Sequence, residues 1–245
     1  MAFRQNIAVR LSESLLDLLY PRQCGGCGTG MDDSPGMLCW NCRAALRTIG
    51  DPCCAWCGNP LEGRTDHAYT CFHCTDMQPA FDLARSAMRF EGVASQLVHQ
   101  FKYHAALWLR AEFIDWLQAC HQVHYSDIDV DAICPVPLHA ARLRERGYNQ
   151  SAVLAAGLAR RLRRPFWSNV LRRSRPTETQ THLTARQRLS NVADAFEVRT
   201  ARIAGKAILL VDDVMTTGAT TSSCARALKK AGCRSVHVLT LARGQ

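Results

Sequence analysis

Hydrophobic and polar positions divide the chain into two textures. Residues 23 to about 80 are short of aliphatic side chains and rich in turn residues and cysteine, so hydrophobic burial alone cannot hold them together. From Phe81 onward the pattern becomes one of ordinary strands and helices. Arg85 to Phe90 reads as a strand; Leu97, Val98 and Phe101, then Leu109, Phe113 and Leu117, recur at helical spacing and predict helices over Val93–His104 and Ala106–His121. Ile128 to Val136 predicts a strand ending in Pro135-Val136-Pro137. Val153, Leu154, Leu158 and Leu162 predict a crossover helix over Ser151–Arg161, and the polar stretch 171–191 reads as a long loop. Lys206 to Val211 is the continuous apolar run of a strand covered on both faces. Gly218 to Ala231 predicts a helix closed by Gly232, and Ser235 to Leu241 another buried strand. Strands alternating with helices predict an α/β domain with a parallel sheet over 81–245, preceded by a Cys-rich module over 23–80. Leu11, Leu15, Leu16, Leu18 and Leu19 predict a short amphipathic helix within 1–22, ended by Tyr20-Pro21.

Composition narrows the class. In 245 residues there are 30 Lys+Arg against 21 Asp+Glu, a formal net charge of +9, and 13 cysteines. No apolar run approaches the roughly 20 residues of a bilayer span, and no signal peptide precedes the cysteines. A reducing cytoplasm is the expected compartment, and metal rather than disulfides the expected use of the thiols. The excess charge is local: between Pro137 and Asn191 there are 12 Arg against 2 Glu. Arg160, Arg161, Arg163 and Arg164 within it read as a solvated basic face or, alternatively, as a track for single-stranded DNA.

Four CxxC pairs carry the first chemical signal: Cys24 with Cys27, Cys39 with Cys42, Cys54 with Cys57, and Cys71 with Cys74. Zinc takes four thiolates in a tetrahedron, and one CxxC turn supplies two of them. Because Gly28 and Gly58 follow the first and third pairs, consecutive pairing into two ribbons is favoured; an interleaved cross-brace is the alternative. Cys53 is then spare, and His67 and His73 are unneeded. With every ligand position filled by cysteine, the metals, two Zn²⁺, are expected to be structural. Trp40, Trp56, Tyr69 and Phe72 could stack on bases, but are expected to form the small cores of the ribbons. Eight thiolates around two Zn²⁺ would lower the formal charge to about +5.

The second signal runs from Ile208 to Thr220, where an apolar strand enters Asp212 and Asp213, then Val214, Met215, Thr216, Thr217, Gly218, Ala219 and Thr220 at the opening of a helix. Backbone N–H groups and Thr hydroxyls at a helix N-terminus suit a phosphate, and the paired carboxylates suit ribose hydroxyls. The combination describes a sugar carrying a 5′-phosphate. Walker A, HExxH and GxSxG motifs are missing from the chain, which removes the warrant for P-loop ATPase, zinc protease and serine hydrolase readings.

Residues 208–220 resemble the phosphoribosyl pyrophosphate (PRPP) signature of type I phosphoribosyltransferases. Together with Pro135-Val136-Pro137-Leu138, Arg146-Gly147-Tyr148-Asn149-Gln150-Ser151, the stretch from Thr179 to Asn191 and the Cys-rich N-terminus, they resemble the ComF (ComFC/GntX) family of competence-associated proteins. The resemblance implies a type I phosphoribosyltransferase fold behind a double zinc ribbon. It implies that Asp212 and Asp213 hold the ribose hydroxyls as catalytic residues and that Thr216 to Thr220 cradle the 5′-phosphate. Val136, Pro137 and Leu138, in a turn running to His139, would form the pyrophosphate loop. Arg142, Arg144 and above all Arg146 would supply cations, and the segment from Arg175 to Arg188 a flap, with Gln180, Arg188 and Asn191 as its family-type positions. The implied reaction is displacement of pyrophosphate from the anomeric carbon with Mg²⁺. No residue is nominated as base for the acceptor. The implied partners are PRPP, single-stranded DNA and other competence or DNA-processing proteins. An enzyme, and a non-catalytic PRPP- or DNA-binding factor, both remain open.

Overall fold

The computed structural model describes residues 22–31, 36–174 and 195–244. The expected N-terminal helix and flap positions Gln180, Arg188 and Asn191 lie outside them. In chain order the helices are α1 (Trp40–Ala44), α2 (Phe72–Met77), α3 (Gly92–Tyr103), α4 (Arg110–His124), α5 (Ala140–Arg146), α6 (Gln150–Leu162) and α7 (Ala219–Lys230). The strands are β1 (Leu83–Arg89), β2 (Ala132–Pro135), β3 (Leu171–Arg173), β4 (Phe196–Val198), β5 (Ala207–Met215) and β6 (Ser235–Arg243). No helix among the described residues is long and apolar enough to cross a membrane.

Strands β1, β6, β5 and β2 form, in that order, an all-parallel sheet. Ile208, Leu209, Leu210 and Val211 are fully buried, because β5 lies inside the sheet and helices cover it. α6 packs on β2 and β5, α4 on α6, β1 and β6, and α7 on β4, β5 and β6. β2 is shorter than the run Ile128–Val136 predicts, since only Ala132 to Pro135 find ladder partners on β5. β5 is longer than predicted. It continues through both acids to Met215 because β6 stays alongside, with Asp212 opposite Thr240 and Met215 opposite Arg243.

Two elements escape the hydrophobic pattern. α5 buries no residue and so shows no apolar period; it ends at Gly147, whose φ of +81° closes the helix. β3 pairs antiparallel with β4 across the stretch read as a loop, burying Leu171 and Phe196.

By packing, the chain divides at Leu46 and Arg47 into two compact units. The second cysteine cluster therefore belongs with the sheet. Ala84 N–H donates to the Trp56 carbonyl at 2.7 Å, and the Arg85 guanidinium donates to the Ala55 carbonyl at 3.3 Å. Cys54, Cys57, Cys71 and Cys74 share a core with Phe81, Ala84 and Met215.

Candidate functional site

The sheet topology brings the two chemical segments of the larger unit together. β2 leaves β5 at Pro135, opposite Val211, and Val136 N–H still donates to the Val211 carbonyl at 2.9 Å. The turn Val136–His139 thus starts beside the residue that precedes Asp212. This is the carboxyl edge of a parallel sheet, where open α/β folds bind ligands.

Both acids are buried. Asp212 Oδ1 accepts from Ser151 Oγ at 2.7 Å and from the Asp213 N–H at 2.9 Å. Burial, and then the neighbouring Asp213 charge, push its carboxyl up to about 7, against the opposite pull of the Ser151 hydroxyl and the Lys102 ammonium. Asp213 Oδ1 pairs with Lys102 Nζ at 2.8 Å, while Asp213 Oδ2 is buried without a hydrogen-bond partner among the described residues.

Beyond Met215 the chain turns through Thr216 and Thr217 to Gly218, whose φ of +79° suits glycine, and enters α7. Thr217 Oγ1 accepts from Ala219 N–H at 3.4 Å, and Thr221 Oγ1 donates to the Gly218 carbonyl at 3.0 Å. A small cavity here is lined by Asp212, Val214, Met215, Thr216, Gly218, Ala219, Thr220 and Thr221. The first turn of a helix and Thr hydroxyls beside two acids suit an anionic sugar. A larger cavity of about 530 Å³, lined by Phe196, Val198, Arg226, Ala227 and Lys230 among others, lies away from the acid pair.

Within the stretch 146–151, Tyr148 and Asn149 tie these segments together. Asn149 Oδ1 caps α6, accepting from Ser151 N–H at 3.0 Å, while its Nδ2 donates to the Val136 carbonyl at 3.0 Å. One side chain thereby ties the turn after β2 to the helix that carries Ser151. Tyr148 OH donates to the Phe101 carbonyl on α3. Arg146 stacks over the exposed Tyr103 ring, 5.0 Å from its centroid, and Arg142 and Arg144 lie on α5. Among the described residues the cation paired with the acids is Lys102, which the sequence does not single out. Its only local signal is rarity: the chain has four lysines.

The cysteines pair consecutively. Cys24, Cys27, Cys39 and Cys42 form one cluster, and Cys54, Cys57, Cys71 and Cys74 the other, with the sulfurs of each within 4.8 Å of one another. A tetrahedron with Zn–S bonds of about 2.3 Å has S···S edges of about 3.8 Å. The Cys27–Cys39 and Cys57–Cys71 separations of 3.7 and 3.6 Å match it. Cys24 and Cys54 sulfurs each accept a backbone N–H, from Cys39 at 3.3 Å and Cys71 at 3.4 Å, as metal-bound thiolates do. Gly28 and Gly58 take φ of +73° and +64° and donate to the carbonyls of Cys24 and Cys54, so each opening knuckle needs its glycine. Cys53 stands outside both clusters, its thiol directed to Asp51.

The ribbon aromatics correct one expectation. Trp40 is 65% exposed and Phe72 79% exposed, each directly after the first cysteine of its second knuckle, and Trp56 is exposed as well. Tyr69 alone packs on a core. The four cysteines of each cluster, not the other three rings, make the ribbon's centre. The basic stretch at the end of α6 and just beyond it is partly neutralised: Arg161 pairs with Asp115 at 2.9 Å and Arg164 with Asp129 at 2.6 Å.

Comparison with known proteins agrees with this geometry. The family model of the double zinc ribbon domain matches residues 15–75, and that of the phosphoribosyl transferase domain matches residues 149–245. Competence protein F of Haemophilus influenzae is 29% identical over 230 residues, covering 90% of this chain and 96% of its own length. DNA utilization protein YhgH of Escherichia coli is 30% identical over 229 residues, covering 92% and 99%. Competence protein ComFC of Bacillus subtilis is 29% identical over 216 residues, covering 84% of each chain. With the parallel sheet, these matches identify a type I phosphoribosyltransferase-like fold preceded by a double zinc ribbon.

Proposed function

The chain belongs to the ComF family of competence and DNA-utilization proteins, and from that premise we propose that it binds PRPP at the carboxyl edge of β5 and transfers its phosphoribosyl group in the use of incoming DNA. The observation that carries this reading is the buried acid pair abutting a phosphate-type helix N-terminus, with one Asp213 oxygen lacking a partner among the described residues. A buried carboxylate oxygen without a donor is costly. A ribose hydroxyl would supply that donor.

In this reading Asp212 and Asp213 hold the 2′- and 3′-hydroxyls, the first turn of α7 with Thr216, Thr217 and Thr220 holds the 5′-phosphate, and the turn Val136–His139 faces the pyrophosphate, for which Arg146 is the candidate cation. Mg²⁺, when bound with PRPP, neutralises charge on the leaving pyrophosphate. The bond from the anomeric carbon to pyrophosphate breaks, both electrons leave with the pyrophosphate, and an acceptor lone pair forms the new bond. The acids keep the sugar oriented while positive charge develops on its ring. The test is equilibrium binding of PRPP with Mg²⁺, beside pyrophosphate release with nucleobases and amines as acceptors. Wild type should bind, and Asp213→Asn should bind at least tenfold more weakly. Binding without release for any acceptor would leave a regulator in place of an enzyme, and no binding would end both versions.

Exposed Trp40 and Phe72 favour a second reading, in which the ribbons stack on single-stranded DNA. Base–aromatic stacking contributes about 1–3 kcal/mol per base. Fluorescence polarisation with a labelled oligothymidine should show a loss of roughly 5- to 150-fold for Trp40→Ala or Phe72→Ala. Unchanged affinity in both variants would remove the ribbons from DNA contact.

A further inference from the structure

The two cysteine clusters are alike in ligands and unlike in surroundings. In the first, Cys27 is exposed and Cys39 half-buried, and the cluster lies in the unit 1–46. In the second, all four cysteines are buried in the core that also holds Met215. Two separate connections lead from the second cluster to the loop 215–222.

The first runs through Arg243, at the end of β6 and 3% exposed. Its Nη2 donates to Cys57 Sγ at 3.3 Å and its Nε to Asn59 Oδ1 at 3.4 Å. Four thiolates around a divalent metal carry a net charge of −2, and a buried guanidinium on one sulfur offsets half of it. The Arg243 backbone lies opposite Met215, and the next N–H, of Gly244, donates to the Met215 carbonyl at 2.9 Å. Gly244 also abuts Thr216 so closely that a Cβ there would sit 3.0 Å from Thr216 Cγ2. The second connection leaves the other knuckle. After Cys74 and the end of α2, Ala80 N–H donates to Ser222 Oγ at 3.0 Å in the first turn of α7. The buried Phe81 ring stands where a Cβ on Gly218 would meet it at 3.6 Å. The loop from Met215 to Ser222 is thus held at its start by the Arg243 end of β6 and at its finish by the chain leaving the second ribbon.

We propose that the metal held by Cys54, Cys57, Cys71 and Cys74 braces the phosphate loop, with Arg243 as the positioning residue that transmits it, so that ligand binding at 212–220 depends on this metal and is indifferent to the metal of the first cluster. The ligand named here rests on the PRPP reading above; the mechanical coupling of metal to loop does not. By thermodynamic reciprocity, a ligand in the loop must tighten the second metal by the same factor that the metal tightens the ligand.

The experiment uses full-length protein loaded with two zinc ions and titrated with a chelator. Released zinc is followed with a colorimetric metal indicator, and PRPP affinity is measured by calorimetry at each stage. The first equivalent released should leave PRPP affinity within twofold, and loss of the second should weaken it at least tenfold. Saturating PRPP should slow release of the second equivalent alone. Cys27→Ser should hold one zinc and bind PRPP as wild type does. Arg243→Gln should hold two, release the second at least tenfold faster and bind PRPP more weakly. Affinity that falls with the first equivalent, or that survives loss of the second, overturns the proposal, as does an Arg243→Gln protein unchanged in both zinc release and PRPP binding. If two-zinc protein does not bind PRPP, the ribose-phosphate reading fails, and hydrogen exchange of amides 214–222 decides the coupling by itself: protection lost with the second zinc upholds it, and protection unchanged ends it.

Discussion

Asp212 is held where ionisation is costly, and this has a measurable consequence for stability. Its folded-state pKa of about 7 lies some three pH units above the ordinary aspartate value of about 3.9. A carboxyl raised in this way binds its proton more tightly when folded, so its contribution to stability declines as pH rises from the unfolded value through the folded one. At about 1.4 kcal/mol per pH unit the full loss is about 4 kcal/mol, of which about 2 kcal/mol falls between pH 5.5 and 8. Asp212→Asn removes the titration and keeps an Oδ1 to accept from Ser151 Oγ and Asp213 N–H. Thermal melts of both proteins, at one fixed excess of zinc from pH 5.5 to 8.5, should show the variant gaining on wild type by about 4–8 °C up to pH 8 and no further above it. The lower limit keeps the cysteine ligands metallated. Burial holds His121, His124 and His237 below the usual histidine range, which tilts both curves alike and cancels in their difference. Parallel curves would refute the raised carboxyl. A variant that loses ground as pH rises would mean that Lys102 stabilises the charge more than burial and Asp213 oppose it.

Ser151→Ala deletes the hydroxyl donor to Asp212 and should weaken PRPP binding about tenfold at pH 7, the effect shrinking above pH 8 as the carboxyl ionises without help; calorimetry at both pH values checks it. Asn149→Ala removes a helix cap and the tie to the Val136 carbonyl, and denaturant unfolding should register a loss of about 1–2 kcal/mol. Gly218→Ala has room for its methyl group but forces an alanine to φ of +79°, so melts should show a loss of roughly 1 kcal/mol or more and PRPP binding should fall with it. Elemental analysis should return two zinc ions per chain, and one would refute the two-cluster assignment.

What was legible in the sequence is what lies in contiguous residues. The CxxC pairs and the run from Ile208 to Thr220 each place their chemistry inside one turn or one strand-to-helix junction, so spacing alone reveals them. Consecutive pairing was readable because Gly28 and Gly58 mark a repeated knuckle, and the structure repeats the same hydrogen bond at each. Lys102 was not readable, because it reaches Asp213 from a helix more than a hundred residues away and occupies an ordinary polar position in its own pattern. Nor was the packing of the second ribbon on the sheet, in which Arg85 and Arg243 bond to the ribbon from strands far away in the chain. The segment 146–151 was recognised as a motif, but the contacts of Tyr148 with the Phe101 carbonyl, and of Asn149 with α6 and the Val136 carbonyl, join positions that only the fold brings within reach.

The strand order carries a consequence for how the molecule comes into being. β1 and β5 do not touch in the sheet; each is zipped to β6, which lies between them. During synthesis the ribbons and β1 emerge early, and β2 can meet β5 once residue 215 is made. β1 still has no sheet partner until 235–243 appear, some 150 positions later. A chain halted between β5 and β6 would present a naked β1 edge, a site for mispairing and proteolysis. Ribosome stalling placed before and after β6 should therefore separate a protease-sensitive nascent chain, its cysteine knuckles already able to take up metal, from one whose sheet is closed.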